Sequence, residues 1–300
     1  MQALANWFYS LNLKDFFAMK YFSDVAILAA TLAGNRLLQN FRSHKATILG
    51  KEVLSVENRS LSKEVTSSND HEADQIIIDV ISERCRDHNL LTEETGFIDR
   101  GSPYTWVIDP LDGSSNFLNL NPFFAVSICL TYENMPITGV VFSPFLEEFS
   151  VARKGHGCTV NGRKVRVSKT NNFANTYVVG CPGGEKHNRR FATLEYALHS
   201  QIKDFRKIGS AAVECYMVAA GRVDAFTTLQ ISPWDVAAGV LCVEEAGGRV
   251  TDFNGNPWNL AKTDLLVSNN LMHDTMLDEI QKSGVVDVPD SATRTLSSAA

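Results

Sequence analysis

The sequence predicts a layered α+β fold, in which two β-sheets alternate with helices that lie between them and outside them. The first observation behind this prediction is a pair of apolar segments with helical spacing in the first ninety residues. The second is the run of short β-branched segments that follows, and the third is a second half in which strand-like and helix-like segments alternate. These observations define the layers but not the order of the strands.

The first helix is predicted over residues 15–41, where apolar side chains recur at intervals of three and four positions. Residues 42–69 are polar and predict an irregular chain, with a loop or hairpin in the middle. Asn69 or Asp70 then caps a second amphipathic helix over about 70–87.

The middle of the chain is rich in predicted strands. Runs of β-branched and aromatic residues predict strands at Leu90–Thr92, Tyr104–Ile108, Phe124–Tyr132, Ile137–Ser143, Phe149–Arg153 and Val165–Val167. Asn161-Gly162 is a strong hairpin signal, because both residues tolerate positive φ. We expect these strands to form one continuous sheet.

The second half alternates between the two kinds of element. Strands are predicted at 178–180, 203–208, Asp224–Thr228, Arg249–Asp252 and Leu265–Ser268, and helices at 187–200, Ala211–Ala220 and Val236–Ala246. Gly221 ends the second of these helices as a C-cap. We expect one domain over 1–283, with an N-terminal α+β part to about 180 and a C-terminal α/β part from about 181, followed by a disordered tail at 284–300.

The composition is that of an ordinary soluble protein. Hydrophobic residues make up 44% of the 300 residues and the formal net charge is −6, so a globally basic footprint for nucleic acid is missing. A local basic run at 153–166 is interpreted as a solvated strand edge. Asn35 and Arg36 interrupt the apolar stretch Val25–Leu38, which is too short for a membrane span. The six cysteines lack C-x-x-C spacing, which predicts free thiols and a cytoplasmic protein.

The strongest local signal is the run Trp106-Val-Ile-Asp-Pro-Leu-Asp-Gly-Ser-Ser-Asn-Phe117, in which an apolar strand leads into Asp109 and Asp112. Gly113 permits a sharp turn, and the two serines after it offer hydroxyls and amides at a helix start, where anions bind free N–H groups. Carboxylate oxygens beside such a turn suit Mg²⁺ and a phosphate. An isolated D-x-x-D is more often a capped turn, but the full run is far more specific.

Two further acidic positions accompany this run. Glu93 follows a predicted strand in Thr92-Glu-Glu-Thr95, so it is expected at the same edge of the sheet. Asp235 lies in the first turn of an apolar helix, where a carboxylate also stabilises the helix dipole. Each is ambiguous alone, since Glu93 fits a solvated turn and Asp235 fits a plain helix start.

The runs at 106–117 and 234–239, with Glu93-Glu94 before them and Glu245-Ala-Gly-Gly248 after them, resemble the inositol monophosphatase family of lithium-sensitive, magnesium-dependent phosphatases. The similarity spans about residues 20–280. It implies a layered αβαβα fold, usually dimeric, and a phosphoric monoester hydrolase with about two or three Mg²⁺ ions in each active site.

Carried over position by position, the resemblance implies specific site residues. The metal ligands would be Glu93, Asp109, Asp112, Asp235 and the carbonyl of Leu111, with Asp109 bridging two ions. The catalytic residues would be Asp70, Ser114 and Glu93, of which Ser114 replaces a threonine that helps hold the attacking water. The substrate and phosphate contacts would be Asp112, Gly113, Ser114, Ser115, Gly183, Gly184, Ser210, Thr228 and Asp235.

Two departures from the family pattern lie before Glu93. The stretch Val65-Thr-Ser-Ser-Asn-Asp70 is one residue longer than the family's usual Val-Thr-x-x-Asp. Asp70 has the expected spacing of 23 residues to Glu93, but Glu72-Ala73-Asp74 mimics the end of the same motif, so Asp74 is the alternative. Residues 42–64 are longer than the family's connection, which is expected to be a mobile lid that helps bind a metal. The extra length either alters closure of the lid or is a neutral insertion.

A third departure concerns the substrate. Thr228 lies seven residues before Asp235, where classical inositol phosphatases have a glutamate that contacts inositol hydroxyls. A neutral hydroxyl does not replace a carboxylate as a strong acceptor. Thr228 therefore argues against strict specificity for inositol phosphate. The expected substrate is inositol 1-phosphate or a related polyol or sugar phosphate, with fructose 1,6-bisphosphate, 3′-phosphoadenosine 5′-phosphate, histidinol phosphate or a dinucleotide phosphate as alternatives.

The expected chemistry is direct hydrolysis by metal-activated water, without a phosphoenzyme, because a monoester mainly needs charge neutralisation and positioning. The alternative of another class is a regulatory protein that retains the fold and binds a partner. We expect a small-molecule phosphate and a second copy of the chain as partners, and neither nucleic acid nor a membrane. Glu214 interrupts an apolar helix and is expected to face the active site or a subunit interface.

Overall fold

The computed structural model describes residues 13–49, 58–182 and 188–285 of the chain. The predicted phosphate contacts Gly183 and Gly184, and most of the predicted tail at 284–300, lie outside these ranges. Across the described residues, every helix is too short or too polar to cross a membrane.

Two long helices, α1 (Leu13–Leu49) and α2 (Asn58–Arg84), form the first outer layer. α1 buries a stripe of small and apolar side chains at helical spacing, namely Ala26, Ala29, Ala30, Ala33 and Leu37. Gly34 on the same face lets α1 approach the sheet closely, because a Cβ there would lie 2.5 Å from the ring of Phe142.

The prediction of an irregular chain over 42–69 is wrong for the described part of that segment. Residues 42–49 continue α1, and residues 58–69 belong to α2, which therefore starts before the predicted cap at Asn69 or Asp70. These stretches contain neither proline nor glycine, so nothing in them stops a helix. They also lack an apolar stripe, and the stripe is what periodicity detects.

The large sheet has eight strands in the order β2-β1-β3-β4-β5-β6-β7-β8. Their bounds are Asn89–Thr92 (β1), Gly96–Ile98 (β2), Tyr104–Asp112 (β3), Ala125–Tyr132 (β4), Met135–Ser143 (β5), Glu148–Arg153 (β6), Gly157–Val160 (β7) and Arg163–Lys164 (β8). β1 is parallel to β3, and the other neighbours are antiparallel. The predicted Asn161-Gly162 turn is confirmed, with positive φ at both residues.

The smaller sheet has five strands in the order β10-β9-β11-β13-β12. Their bounds are Tyr177–Pro182 (β9), Asp204–Arg206 (β10), Ala225–Leu229 (β11), Arg249–Thr251 (β12) and Leu265–Ser268 (β13). The first three in this order are parallel, and β13 and β12 run antiparallel to their neighbours. Helices α4 (Asn188–His199) and α7 (His273–Lys282) cover its outer face through a shared apolar cluster.

Two helices, α5 (Ala211–Ala219) and α6 (Pro233–Glu245), fill the space between the sheets. They touch closely at Gly239, where a Cβ would lie 2.3 Å from the Cβ of Cys215. α6 also packs tightly on β5, since a Cβ at Gly139 would lie 2.7 Å from the carbonyl oxygen of Ala238. The layers therefore follow the order αβαβα, which confirms the predicted fold class.

Some predicted elements differ from the structure. Residues 165–167 are not a strand; their main-chain bonds go from Val165 to Cys158 and from Val167 to Ala246, so the apolar side chains pack without a regular ladder. The predicted elements do not include β2, β7 and β8, which are three, four and two residues long, or α7. The helix start predicted after Gly113 is confirmed as α3 (Ser114–Leu118).

Candidate active site

The end of β3 is kinked, and the kink carries two aspartates. Asp109 lies opposite Ser127 of β4 and Asp112 lies opposite Ala125, so three steps on β3 match two on β4. Such a bulge bends a strand and re-aims its side chains. The N–H of Leu111 donates to the Asp109 carboxylate at 2.9 Å, which closes the kink.

Glu93 reaches the same place from the neighbouring strand. β1 runs parallel to β3 with Thr92 opposite Ile108, and the N–H of Glu93 donates to the Ile108 carbonyl at 3.2 Å. Glu93 directly follows Thr92, and Asp109 directly follows Ile108, so the two carboxylates lie side by side. The predicted meeting of these two carboxylates at one sheet edge is therefore what the strand register produces.

Asp235 enters from the start of α6. The N–H of Ser232 donates to Asp235 Oδ2 at 3.2 Å, which fixes the carboxylate in the first helical turn. The hydroxyl of Ser127 on β4 donates to the carbonyl of Trp234 at 3.1 Å. Because Ser127 is the sheet partner of Asp109, this bond docks the start of α6 over the kink in β3.

Glu93, Asp109 and Asp235 consequently form one carboxylate cluster, in which one oxygen of each lies within 4.8 Å of the others. The cluster spans a gradient of burial. Asp109, at the base of the cluster, is 1% exposed. Asp235 is half-buried, and Glu93 is exposed on the side of the cluster that faces solvent. A small ion therefore has a route into the cluster from solvent.

The cluster is electrostatically unfavourable without a cation. Burial raises the pKa of Asp109 well above its usual range, and the neighbouring Asp112, Glu93 and Asp235 raise it further. Burial, with help from Glu94 and Asp112, raises the pKa of Glu93 to about 7. Oxygen donors that crowd together in this way fit a hard divalent cation such as Mg²⁺, whose charge would reverse these shifts.

Asp112 is held by the start of α5. The hydroxyl of Ser210 donates to Asp112 Oδ2, as does the N–H of Ala212 at 2.8 Å, while the N–H of Ala211 donates to Oδ1 at 3.3 Å. Burial raises the pKa of Asp112 to about 6, against the lowering effect of these donors. The structure therefore places Ser210 and Asp112 together, with Asp112 beside the cluster of three rather than inside it.

The predicted phosphate contacts at the start of α3 come directly after Asp112 in the chain. Gly113 is the N-cap with φ of 90°, and a Cβ there would lie 2.7 Å from the Phe123 carbonyl oxygen, so only glycine fits. Ser114 is half-buried and Ser115 is exposed in the first turn. Leu111 packs its side chain into the core under α1 and α2, and its role as a carbonyl ligand stays a prediction.

Asp70 lies on α2 against the turn that carries Glu93. It is 8% exposed. Burial raises the pKa of Asp70 to about 8, and Glu94 and Glu93 raise it further. Asp70 is therefore mostly protonated at pH 7 without a cation, and a cation bound nearby would lower its pKa and leave it ionised, the form that can take a proton from water.

Asp74, the alternative to Asp70, is engaged elsewhere. Its Oδ2 accepts hydrogen bonds from the hydroxyl groups of Thr92, at 3.2 Å, and Thr95, at 2.5 Å. The N–H of Thr95 donates in turn to the Thr92 hydroxyl at 2.8 Å. Since Glu93 lies within this turn, Asp74 supports the position of Glu93. Asp70 therefore stays the residue predicted to act on the attacking water.

A sequence model of the inositol monophosphatase family matches residues 18–284. The chain belongs to the inositol monophosphatase family. A curated relative, the "Nus factor SuhB" of Pasteurella multocida, is 34% identical over 263 residues, covering 86% of this chain and 95% of that protein. The "Fructose-1,6-bisphosphatase/inositol-1-monophosphatase" of Thermotoga maritima is 35% identical over 240 residues, covering 80% and 91%.

Solved structures agree with the family assignment. The inositol monophosphatase from Anabaena (Nostoc) sp. PCC 7120 matches with a TM-score of 0.76 and 30% identity, covering 88% of this chain and 97% of that one. The chain is accordingly a phosphoric monoester hydrolase of the inositol monophosphatase family.

Thr228, where classical inositol phosphatases have a glutamate, is fully buried on β11. It lies opposite Cys181 of β9, whose thiol donates to the Thr228 hydroxyl at 3.9 Å. Glu214 of α5 is also fully buried, and it contributes to the raised pKa of Cys181 after the larger effect of burial. Of the two orientations expected for Glu214, the structure shows the inward one, toward this end of the site.

Several residues that support the site were not predicted from the sequence. Thr92 and Thr95 flank Glu93, and Asn116 lies inside the recognised run, so their positions were a usable signal. The position of Ser127 gives no such signal, because the Trp234 carbonyl to which it donates is 107 residues away along the chain.

Proposed function

We propose that this chain hydrolyses a small phosphate monoester, inositol 1-phosphate or a related polyol or sugar phosphate, with Mg²⁺ held by Glu93, Asp109 and Asp235. The observation that carries the proposal is the cluster of three carboxylates with oxygens within 4.8 Å of one another. Such a group is stable in its ionised form when a cation neutralises it. The family's hydrolase activity supplies the reaction type.

The chain's own residues have distinct tasks in this proposal. Bound Mg²⁺ would supply charge neutralisation at the phosphate and would acidify a bound water. Asp112 and the Leu111 carbonyl complete the ligand set at the kink. The main-chain amides at Gly113–Ser115 take phosphate oxygens at the start of α3. Asp70 and Ser114 orient the attacking water, and Asp70 accepts its proton.

The substrate is tested with a panel of monoesters. Phosphate release is measured from inositol 1-phosphate, fructose 1,6-bisphosphate, 3′-phosphoadenosine 5′-phosphate, histidinol phosphate and a dinucleotide phosphate, with Mg²⁺, with EDTA, and with Mg²⁺ plus Li⁺. We expect phosphate release that depends on Mg²⁺ and is inhibited by Li⁺. The rate should be highest for a polyol or sugar phosphate. Well-folded, metal-loaded protein that turns over none of them would contradict it.

Thr228 gives the panel a specificity test. Because its hydroxyl is neutral, Thr228→Glu is expected to raise kcat/KM for inositol 1-phosphate relative to the other substrates, while the isosteric Thr228→Val leaves the ranking unchanged. A glutamate variant that folds and gains no preference for inositol 1-phosphate would refute this account of the substrate.

The route of the reaction is tested by a single turnover in ¹⁸O-labelled water. Direct attack by water places one label in the released phosphate. Unlabelled phosphate after a single turnover would instead require cleavage of the carbon–oxygen bond of the ester, so that water does not attack phosphorus, and the proposed roles of Asp70 and Ser114 would then be wrong.

A second candidate function, a regulatory protein that binds a partner, rests on the curated relatives named "Nus factor SuhB", which are 34% identical to this chain. The same panel separates the two: hydrolysis that depends on Asp109 favours the enzyme. We also propose a homodimer in the cytoplasm, the location that fits six free cysteines. Sedimentation at several protein concentrations tests the dimer.

A further inference from the structure

Asn116 contacts the loop before α5 from α3. Its Nδ2 donates to the carbonyl oxygens of Ile208 at 2.9 Å, of Gly209 at 3.2 Å, and of Phe123 at 2.8 Å. One side chain therefore joins α3, the segment that leads into β4, and the loop that leads into α5. Asn116 lies inside the motif, but neither the metal set nor the phosphate contacts include it.

Glu214 holds the same loop through a main-chain N–H group, whereas Asn116 holds it through carbonyl groups. It lies in the first turn of α5 and is fully buried, and its Oε1 accepts a hydrogen bond from the N–H of Ile208 at 2.9 Å. Burying an ionisable group in a helix is costly. A carboxyl group in this place is explained by a task, and the bond to Ile208 indicates that the task is to fix the loop.

The loop ends at the residues that grip Asp112. Ser210, the N-cap of α5, follows Gly209 directly and donates to Asp112 through its hydroxyl. The loop also packs on the phosphate turn, because a Cβ at Gly113 would lie 3.2 Å from the Cβ of Ser210 and 3.3 Å from the Gly209 carbonyl oxygen. A shift of the loop by a fraction of an ångström would thus move Asp112 and Gly113 together.

We propose that Asn116 and Glu214 are positioning residues, which clamp the loop Ile208–Ser210 through its carbonyl and N–H groups so that the start of α5 holds Asp112 in its place beside the metal cluster. The inference rests on the proposed function. It adds two residues that join two layers of the fold. Asn116 lies on α3, which directly follows β3 of the large sheet, and Glu214 lies on α5 in the central layer.

Two variants with matched controls test the clamp. Asn116→Asp keeps the shape and removes the donors, and its control is Asn119→Asp, since Asn119 lies on the same short helix and donates to Ser115 without touching the loop. Glu214→Leu removes the acceptor, and its control is Glu214→Gln, which keeps a neutral group with an oxygen for Ile208. Burial raises the pKa of Glu214 to about 8, so the amide resembles the form present at pH 7.

Three readouts are expected to change together. Mg²⁺ affinity by calorimetry falls about tenfold or more in Asn116→Asp and Glu214→Leu, the loss typical of groups that orient metal ligands. kcat at limiting Mg²⁺ falls with it, and part of kcat returns at high Mg²⁺. The amide resonances of Ala211 and Ala212 shift in these two variants, while Asn119→Asp and Glu214→Gln stay close to the unmodified protein in all three measurements.

Other results overturn the clamp. Folded Asn116→Asp protein with unshifted Ala211 and Ala212 amides and Mg²⁺ affinity within about twofold of the unmodified chain would make Asn116 merely structural. Glu214→Gln as damaging as Glu214→Leu would mean that charge matters rather than position. If Glu214→Leu does not fold, Asn116→Asp decides alone. The resonances report the clamp even if the unmodified chain hydrolyses no monoester, so failure of the clamp and failure of the proposed function are distinguishable.

Discussion

At the residue scale, the candidate site consists of carboxyl groups that the fold keeps from ionising fully. Burial is the largest cause for Asp70, Glu93, Asp109 and Asp235, and mutual repulsion adds to it. The same groups are the oxygen donors that Mg²⁺ prefers. The close packing of these carboxyl groups destabilises the fold without metal, and the same arrangement binds the metal. Two predictions test this relation.

Replacing Asp109 by asparagine is expected to abolish activity and preserve the fold. The amide keeps the shape, removes a fully buried charge from the centre of the cluster, and cannot hold Mg²⁺ as a carboxylate does. We expect kcat to fall about a thousandfold or more, equivalent to roughly 4 kcal/mol of barrier. Urea unfolding in EDTA should show equal or higher stability than the unmodified chain. Substantial residual turnover would refute the central role of Asp109.

The metal-free protein is expected to lose stability as the pH rises from 6 to 8. The folded-state pKa values are about 6 for Asp112, about 7 for Glu93 and about 8 for Asp70. Each lies above the value of about 4 expected for an unfolded chain. The folded state therefore binds more protons in this window, so its extra stability is present at low pH and is lost as pH rises through these values.

This prediction is checked by urea unfolding in EDTA at pH 6, 7 and 8, together with Mg²⁺ titration calorimetry at the same pH values. Because Mg²⁺ must displace protons, its affinity should rise over this window, with proton release visible as a dependence of the heat on buffer. A free energy of unfolding in EDTA that is flat or rises with pH would contradict the arrangement described for these groups.

At the scale of the elements, the site depends on how strand ends and helix starts are braced. The turn after β1 is braced by Asp74, the start of α6 by Ser127, and Asp112 by the start of α5. Each brace joins residues that are far apart in sequence. The geometry of the site is therefore a property of the layers, although each ligand belongs to a local motif.

Asp70→Asn and Asp74→Asn are expected to fail in different ways, although the two residues lie one helical turn apart. Asp70→Asn should lower kcat and leave Mg²⁺ affinity nearly unchanged, because the proposed task of Asp70 is to orient the attacking water and accept its proton. Asp74→Asn should weaken the bonds to Thr92 and Thr95, cost ~1–3 kcal/mol of stability and lower Mg²⁺ affinity through Glu93.

Urea unfolding, Mg²⁺ calorimetry and steady-state kinetics on both variants provide the comparison. Should Asp74→Asn bind Mg²⁺ normally and lose turnover while Asp70→Asn remains active, the assignment of the two aspartates would have to be exchanged.

The sequence was most informative where pattern and chemistry coincide. β3 and α6 combine an apolar run with acidic residues at one end, so both the elements and their site residues were predictable. The extension of α1 and α2 was not, since polar helical turns carry no periodic signal. The position of Asn116 inside the motif was visible in the sequence, but its partner Ile208, like the partner of Ser127, is fixed only when the layers pack.

At the scale of the whole molecule, the cluster joins the large sheet to the central layer. Glu93 and Asp109 come from the sheet, and Asp235 comes from the start of α6. An ion held by all three therefore cross-links elements that are more than a hundred residues apart. A ligand of the folded state stabilises the whole unit by mass action.

Mg²⁺ is accordingly expected to raise the Tm of the chain as one cooperative transition. At a concentration of about 100 times its Kd, the gain is about 2.7 kcal/mol. Calorimetric scans with Mg²⁺ and with EDTA measure it. The increase should vanish in Asp109→Asn and in Asp235→Asn, whereas a variant at the distant exposed residue Tyr196 should keep it. An equal increase in all of them would indicate that the ion binds elsewhere.

The most direct test of the central claim is anomalous diffraction from crystals soaked with Mn²⁺ and inorganic phosphate. We expect a metal peak about 2.1 Å from oxygens of Glu93, Asp109 and Asp235, with phosphate at the start of α3. Crystals that bind Mn²⁺ elsewhere, or that leave this cluster without a peak at saturating metal, would contradict it.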